Sequence, residues 1–246
     1  MMKFNEYLFY SRFENGHRKF YLYNLKTKEK KRVWKDSLED QCGSFPTIDW
    51  FFPEKQWICS ENDIYDLKTE TFREVLSSAN VSKNIRFPWE NISYSYTGTY
   101  VYYINQNDEL TERDVETLKD TVLFDFKKSQ FKRLDHIFLG PRSPDRKFIP
   151  ILYGETMYDE SVYLLNLETK EITFVAGRPW FPFSGRNPGL PFFWDKTSKY
   201  LIFYTDYNWF NIAYRYGDCS AYSLETKELR QLNEGFKTGN FWYSWE

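Results

Sequence analysis

The sequence predicts an all-β protein, a five-bladed β-propeller, and two observations lead to this prediction. A ten-residue phrase, with an apolar residue second and Val or Leu last, begins at residues 24, 66, 125, 166 and 223 of the 246-residue chain. Repeats of roughly 40–50 residues are typical of propeller blades. Aromatic residues make up 21% of the chain, and such bulky side chains favour pleated strands.

Each phrase is predicted to be a β-hairpin, because apolar and aromatic residues precede a short charged turn. In the third repeat this makes Thr121–Phe126 the first arm of the hairpin. Helices with charged faces are the alternative, but the β-branched and aromatic content fits strands better. The five phrases are Asn24–Val33, Asp66–Val75, Asp125–Leu134, Asn166–Val175 and Ser223–Leu232.

Two further strands precede most of these hairpins, so the repeating unit has four strands, A to D, as a propeller blade does. Strand B is predicted in every repeat, at Glu6–Tyr10, Gln56–Ser60, Tyr100–Asn105, Phe148–Tyr153 and Tyr200–Thr205. Strand A is predicted in four repeats, at Ile48–Phe52, Ile92–Tyr96, Ile137–Gly140 and Pro191–Trp194.

The first repeat lacks a strand A of its own in this reading. The final residues Phe241–Glu246 resemble Pro191–Lys196, which is a strand A. We therefore predict that the C-terminal strand pairs with the N-terminal blade and closes a ring, which removes exposed sheet edges. The chain is then one domain, 1–246, with blades at about 241–246 plus 1–33, 48–75, 92–134, 137–175 and 191–232.

The fourth repeat carries a family resemblance. Ser143–Ile151 (SPDRKFIPI) followed by Ser161–Val175 (SVYLLNLETKEITFV) resembles the TolB/PD40 β-propeller repeat, which is WD40-like and runs SPDGK into strand B and ends its next strand in DLETGK. Weaker matches to the first half occur at Pro53–Ile58, Thr97–Val101 and Asp195–Leu201. The resemblance implies a propeller fold and carries little information on function.

The glycine of that family's hairpin turn is absent here. Its place is taken by Lys28, Glu70, Ser129, Lys170 and Lys227. A residue other than glycine in the left-handed conformation costs about 1–2 kcal/mol, so we expect these turns to use another geometry.

The lengths of the connections predict where function lies. In a propeller the B-to-C and D-to-A connections open on one face, and every long connection belongs to these two classes. They are Gln106–Asp120, Asp206–Cys219, Trp34–Thr47, Leu76–Asn91 and Ala176–Leu190. Because variable loops on a repeated scaffold commonly carry binding, we predict that this face is functional. The polar stretch Asn105–Asp120 is interpreted as a charged, solvated excursion, with a short helix or an extended hairpin as alternatives.

Two of these loops, Gly177–Pro191 and Asp206–Asp218, are rich in Trp, Tyr, Phe and Arg. Trp, Tyr and Arg are over-represented at interface hot spots, since they bury large areas and keep a polar group. The alternative is that the aromatic residues fold inward over the ring. The predicted partner-binding residues are Arg178, Trp180, Phe181, Phe183, Arg186, Tyr207, Trp209, Phe210, Tyr214 and Arg215.

The net charge indicates whether nucleic acid is an expected partner, and the cysteine content indicates the redox state of the compartment. The chain has 33 Lys plus Arg and 35 Asp plus Glu, a net charge of −2, so we do not expect nucleic acid as a partner. Cys42, Cys59 and Cys219 are odd in number and far apart, which fits a reducing compartment. No secretory signal or membrane-length apolar segment is visible, so a cytoplasmic location without membrane contact is expected.

No metal, cofactor or catalytic residue is predicted. His17 and His136 are the two histidines, and the sequence holds no zinc, nucleotide or nucleophile motif. Asp49, Glu90, Asp195 and Glu246 lie near predicted inner strands, where a glycosidase would place carboxylates. Asp195 and Glu246 are more simply explained as residues of turns.

We therefore predict a non-enzymatic protein–protein interaction module, either an adaptor or an inhibitor of the immunity-protein type. The alternative is a carbohydrate-binding or glycoside-cleaving five-bladed propeller, so a glycan ligand stays possible.

Overall fold

The computed structural model describes residues 2–4, 6–14, 17–33, 50–52, 54–60, 63–77, 79–85, 92–95, 97–154, 161–177, 192–205 and 216–237. In these segments the strands form five antiparallel sheets of four strands each. Strands adjacent in the chain are adjacent in every sheet. The predicted all-β architecture with a four-stranded repeat is therefore confirmed. No helix in these segments has the length and apolar character needed to cross a membrane.

The first two sheets are built from residues 2–74. The strands of the first sheet are β1 (Met2–Phe4), β2 (Tyr7–Glu14), β3 (His17–Asn24) and β4 (Lys30–Val33). Those of the second sheet are β5 (Trp50–Phe52), β6 (Trp57–Ser60), β7 (Asp63–Asp66) and β8 (Thr71–Glu74).

The other three sheets follow in the same order. The third sheet holds β9 (Ser93–Tyr94), β10 (Tyr100–Ile104), β11 (Glu109–Asp114) and β12 (Asp120–Asp125). The fourth holds β13 (Ile137–Leu139), β14 (Phe148–Tyr153), β15 (Ser161–Asn166) and β16 (Ile172–Gly177). The fifth holds β17 (Phe192–Trp194), β18 (Tyr200–Thr205), β19 (Tyr216–Ser223) and β20 (Leu229–Lys237). Two 3₁₀ helices, Phe126–Lys128 and Leu134–His136, connect the third sheet to the fourth.

The described residues divide into two compact units, one ending at Val75 and the other beginning at Leu76. In the first unit, the core lies between the first and second sheets and includes Leu22, Val33, Ile58 and Leu67. Lys31 of β4 reaches across and donates its Nζ to the Leu67 carbonyl. Consecutive residues are buried in β3 (Phe20–Leu22) and in β7 (Ile64 and Tyr65), so both faces of these central strands are covered.

In the second unit, two buried clusters hold three sheets together. One lies between the third and fourth sheets and includes Ile104, Leu110, Ile149 and Leu165. The other lies between the fourth and fifth sheets and includes Val162, Leu164, Phe203 and the fully buried Trp194. The three sheets therefore pack face against face in chain order.

The prediction for the first sheet is wrong in one respect. Residues Met2–Phe4 form β1, which pairs with Phe9, Leu8 and Tyr7 of β2. The first repeat therefore has its own strand A, which the sequence analysis did not predict. Phe241–Glu246 lie outside the described residues, so closure of the ring by the C-terminal strand stays a prediction.

The prediction for the third repeat is also wrong. Asp125–Leu134 is not a hairpin, since it contains one 3₁₀ helix and the first residue of a second. Strand C is Glu109–Asp114 and strand D is Asp120–Asp125. The segment Asn105–Asp120, predicted as a solvated excursion and a long B-to-C connection, is therefore strand C with a short turn at each end. The segment Asp114–Leu123 (DVETLKDTVL) is the true third copy of the phrase. Sequence reading took β11 for a loop because its inner residues include Glu112 and Arg113, which ion pairs allow to be buried.

The C-to-D turns keep the left-handed residue although glycine is absent, so the expectation of another geometry is wrong. The backbone angle φ is 66° at Lys28, 56° at Glu70, 58° at Leu118, 65° at Lys170 and 60° at Lys227. Ser129, by contrast, has φ −89° and is not in such a turn. Backbone bonds over-determine the turns: Lys170 N donates to Asn166 O at 2.8 Å, and Asn166 N to Glu171 O at 2.9 Å. The left-handed residue costs about 1–2 kcal/mol in each turn. The hydrogen bonds that close the turn offset this cost and hold the strained conformation in place.

Candidate functional site

Contacts between neighbouring turns show how the sheets of the second unit are oriented. The N–H of Asp145, in the A-to-B turn of the fourth sheet, donates to Ser198 Oγ in the same turn of the fifth sheet at 2.9 Å. Trp194 Nε1 donates to the Pro141 carbonyl at 2.7 Å. The A-to-B ends of these two sheets therefore lie side by side. Since antiparallel strands span the sheet, their B-to-C and D-to-A ends lie side by side on the opposite edge.

The same relationship holds between the third and fourth sheets. The connector that follows β12 places Lys132 N within 3.2 Å of Tyr153 OH, to which it donates, and Tyr153 is the last residue of β14. The Phe131 ring lies 4.5 Å from the Tyr153 ring. A D-to-A connection therefore packs on the B-to-C end of the next sheet. We call this side the loop edge: residues 79–85, 105–108 and 126–136, with the strand ends at Tyr153, Ser161, Gly177, Thr205 and Tyr216.

A buried polar network fixes one part of the loop edge. Asp108, in the B-to-C turn of the third sheet, accepts hydrogen bonds from Ser82 Oγ at 2.6 Å and Asn84 Nδ2 at 3.0 Å. Val81 forms a bridge with Asn105. Asp108 is 8% exposed and left-handed, with φ 63°. Every polar atom of Asp108 that is buried has a partner, so this network locks the connection 79–85 onto the turn.

A second polar network holds the start of the same connection. The Arg113 guanidinium donates to both carboxylate oxygens of Asp120, at 2.6 and 2.7 Å, and to Asn80 Oδ1 at 3.2 Å. Tyr103 OH donates to Asp120 at 3.0 Å. The hydrogen bond from Arg113 holds the pKa of Asp120 below its usual value. Burial raises the pKa of Tyr103. The planar guanidinium fits the carboxylate with two parallel bonds, which makes this pair geometrically specific.

The predicted binding loops start and end at the loop edge of the fourth and fifth sheets. Gly177, at the end of β16, pairs with Ser161. Thr205, at the end of β18, pairs with Asp218, and Tyr216 pairs with Lys237. The strands extend further than predicted, so the predicted loops shorten to residues 178–191 and 206–215, which lie outside the described residues. Phe192, which follows the first of these segments, pairs with Phe203, and the second segment begins after Thr205 of the same strand.

The ten predicted binding residues all lie outside the described residues. The assignment of a binding role to them therefore stays a prediction. They are Arg178, Trp180, Phe181, Phe183, Arg186, Tyr207, Trp209, Phe210, Tyr214 and Arg215.

An aromatic row runs outward along the loop edge between the third and fourth sheets. Phe126 and Phe131 are buried, and the Phe131 ring lies 5.2 Å from that of Tyr163 in an edge-on arrangement. Tyr163 in turn meets its cross-strand partner Phe174 at 5.8 Å. Phe174 is 57% exposed. The row therefore leads from the core to a large exposed ring, which sequence reasoning did not single out.

A buried ion-pair cluster joins the third and fourth sheets on the opposite edge, and sequence reasoning missed it too. Glu112 of β11 pairs with Arg142 and with Arg146, whose Nη2 lies 2.9 Å from the carboxylate. Arg142 Nη1 also donates to Tyr102 OH at 3.4 Å. Burial raises the pKa of Tyr102 to about 12. Both residues of the inner pair are less than 10% exposed, so their partners are essential to burying the charges.

Of the four carboxylates considered for sugar cleavage, Asp195 lies among the described residues. Asp195 occupies the A-to-B turn of the fifth sheet and accepts hydrogen bonds from Tyr200 N at 2.7 Å and Thr197 N at 3.0 Å. Hydrogen bonds from Thr197 and from the backbone lower the pKa of Asp195, although its partial burial opposes them. Asp195 is thus a turn-capping residue, as the simpler interpretation expected. Asp49, Glu90 and Glu246 lie outside the described residues.

The two histidines are placed by the fold as follows. His17 begins β3, and His136 ends the second 3₁₀ helix, with Nε2 3.4 Å from the Asp135 carboxylate. Within the part of the chain that the structure describes, no group of three or more His, Cys, Asp or Glu residues could hold a metal ion.

Comparison with known proteins identifies the fold class. No protein-family model matches the chain, and no curated protein matches it significantly. Among solved structures, TolB from Acinetobacter baumannii aligns with 94% of the chain and 52% of its own, at 14% identity and a TM-score of 0.55. A putative TolB from Agrobacterium tumefaciens aligns with 94% of the chain and 84% of its own, at 11% identity and a TM-score of 0.50.

A third similar structure is a prolyl endopeptidase, which aligns with 95% of the chain and 36% of its own, at 11% identity and a TM-score of 0.55. The chain spans about half the length of the first TolB and a smaller share of the endopeptidase. Such similarity establishes the fold alone. The fold is that of a β-propeller. More narrowly it is a TolB-like propeller, as the repeat resemblance implied.

Proposed function

We propose that this protein is a non-enzymatic protein-binding module whose partner contacts loops 178–191 and 206–215. The observation that carries this proposal is that the two predicted loops join the scaffold close to one another. Segment 178–191 is followed by Phe192, which pairs with Phe203 of β18, and segment 206–215 begins after Thr205, the last residue of that strand. Two loops rich in Trp, Tyr and Arg that leave a rigid scaffold side by side can contribute to one interface.

The rigidity of the scaffold supports the proposal. The fourth and fifth sheets share a buried core that includes Trp194 and Phe203, both with 0% exposure. Proline residues in 178–191 reduce the conformational freedom that a loop loses on binding. A scaffold that holds the ends of both segments in place lowers the entropic cost of association.

Affinity purification from the native host, followed by mass spectrometry, tests this proposal. We expect wild-type bait to retain a specific protein, and the double variant Trp180→Ala/Trp209→Ala to bind it at least about 2 kcal/mol more weakly. Phe72→Ala, which removes an exposed ring from β8, is the matched control and should bind normally. A partner that binds both baits equally, or a glycan array that gives specific signals instead, would contradict the proposal.

A further inference from the structure

The connector 126–136 matches most of the repeated phrase in sequence but does not form a hairpin. Hydrogen bonds within the connector hold its backbone in place. Ser129 N and Ser129 Oγ both donate to the Phe126 carbonyl, at 3.0 and 2.6 Å. Phe131 N donates to Ser129 Oγ at 3.1 Å. The buried ring of Phe131 packs on Tyr153. The connector is therefore anchored at its centre, and the side chains on either side of Phe131 face outward.

Those outward side chains are basic. Residues 127–133 (KKSQFKR) contain Lys127, Lys128, Lys132 and Arg133 and no acidic residue, and all four are exposed. Lys128 Nζ lies 3.3 Å from the Asp125 carboxylate, and Arg133 forms a 2.6 Å pair with Asp135. Among the described residues, Lys127 and Lys132 have no carboxylate partner. The connector thus carries a local excess of positive charge in a chain of net charge −2.

An open cleft of about 580 Å³ lies beside this basic connector. Its apolar lining includes Phe124 of β12 and Ile172 of β16, both half-buried. Its charged lining consists of Lys128, Lys170 and Asp125, and the Asp125 carboxylate pairs with Lys128. Val122 is 52% exposed in the same strand as Phe124. The exposed ring of Phe174 lies two residues beyond Ile172 at the end of the aromatic row. Apolar surface bordered by cations suits a segment that carries both apolar and acidic side chains.

The edge of β12 indicates how such a segment is recognised. The register of β12 shifts at Leu123, and Lys170 Nζ donates to the Leu123 carbonyl at 2.9 Å. A bulge in an edge strand, and a lysine from the next sheet that already occupies one of its carbonyls, both oppose pairing with a further strand. Recognition therefore depends on side chains in the cleft and on the connector, and not on extension of the sheet.

We propose that the cleft between β12 and β16, together with the basic connector, docks an extended acidic segment of another protein. An apolar side chain of that segment occupies the cleft against Phe124 and Ile172 and extends toward the exposed ring of Phe174. Its carboxylates lie against Lys127, Lys128 and Lys132. This site is distinct from loops 178–191 and 206–215, so it is independent of the function proposed above.

Selection from a displayed library of random linear peptides tests the proposal on the full chain. We expect enriched peptides to carry Asp or Glu around an apolar residue. The variant Lys127→Glu/Lys128→Glu/Lys132→Glu should weaken their binding roughly tenfold or more, since three ion pairs are reversed. Phe174→Ala should weaken it by a similar factor. The matched controls are Lys147→Glu/Lys196→Glu/Lys199→Glu on the opposite edge and Phe72→Ala, which should change little.

Three results would overturn the proposal. The first is that no peptide is enriched, or that the enriched peptides lack acidic residues. The second is that the enriched peptides bind the connector variant as tightly as wild type. The third is that single-stranded oligothymidylate binds the connector more tightly than the peptides and independently of Phe174, which would make this a nucleic-acid surface. Peptides that also bind Trp180→Ala/Trp209→Ala at full strength would separate this site from the predicted loop interface.

Discussion

The carboxylate of Glu112 lies between two sheets and receives two hydrogen bonds from Arg146, at 2.9 and 3.0 Å. Glu112 belongs to strand C of the third sheet, whereas Arg146 belongs to the A-to-B turn of the fourth. Arg142, from the same turn, pairs with the same carboxylate. One buried anion therefore joins neighbouring sheets, and the aromatic rings of Tyr100 and Tyr102 lie under the two guanidinium groups.

Replacing the buried anion should destabilise the protein strongly. In Glu112→Gln, the guanidinium of Arg142 stays buried without a charge partner, and breaking such a pair costs about 3–5 kcal/mol. Glu168→Gln removes an exposed pair with Lys147 and should cost less than about 1 kcal/mol. Urea unfolding of both variants measures the difference. Equal midpoints for the two variants would show that Glu112 is not essential to the packing of the sheets.

The pair of Arg113 and Asp120 should make stability depend on pH in the acid range. The hydrogen bond from Arg113 lowers the pKa of Asp120 in the folded protein. A depressed folded pKa contributes stability above the unfolded pKa, near 3.9, and this contribution is lost as the pH falls through the folded value. The free energy of unfolding of Asp120→Asn should therefore fall less steeply below about pH 4 than that of wild type. Parallel curves for Asp120→Asn and wild type would refute the assignment.

Glycine at a left-handed turn position should stabilise the chain. Leu118 has φ 58° and is 45% exposed, so Leu118→Gly relieves about 1–2 kcal/mol of strain and loses little packing. The greater freedom of glycine in the unfolded chain offsets about 0.5–1 kcal/mol of this gain. We expect a net increase of up to about 1 kcal/mol in thermal or urea unfolding. Leu118→Ala keeps the strain and should give no increase, so an equal effect of both variants would argue against this cause.

Two glycines provide a matched test of how closely the sheets pack. A Cβ on Gly140 would lie 2.4 Å from Pro150 Cγ and 2.7 Å from Phe192 Cδ2, whereas a Cβ on Gly177 would find no atom nearer than 3.6 Å. Gly140→Ala should therefore destabilise the protein by about 1–3 kcal/mol through overpacking. Gly177→Ala, within strand β16, should be neutral or slightly stabilising. Calorimetric midpoints compare the two, and a midpoint for Gly140→Ala at or above the wild-type value would mean that the fourth and fifth sheets separate more easily than their contacts indicate.

Much of the architecture could be predicted from local sequence signals. The phrase at Asn166–Val175 forms a hairpin around a charged turn, with Asn166 Oδ1 accepting from the backbone N–H groups of Glu168 and Thr169. Asn24 and Asp66 do the same in their own turns. A side-chain acceptor followed by a short charged run and an apolar strand is a local pattern, so it can be recognised without knowledge of distant contacts.

The third repeat shows where local signals fail. Asp125–Leu134 matches the phrase in sequence, yet Asp125 caps a 3₁₀ helix and Phe131 is buried between sheets. The real strand C contains Glu112 and Arg113, whose charges are buried only because Arg142, Arg146 and Asp120 reach them from elsewhere. Sequence patterns predict that charged residues lie on the surface. An ion pair with a residue distant in the chain can nevertheless allow a charged side chain to be buried.

Local sequence was enough to assign an all-β chain built from a repeated four-stranded sheet, because strand and turn composition are properties of neighbouring residues. Contacts in the folded chain select the segment that forms the third hairpin and the turns that hold left-handed residues, and they bring Ser161, Gly177, Thr205 and Tyr216 to one edge. Those outcomes depend on contacts between residues far apart in the chain, where burial of a charge or closure of a turn is stabilised by a partner that no local pattern contains.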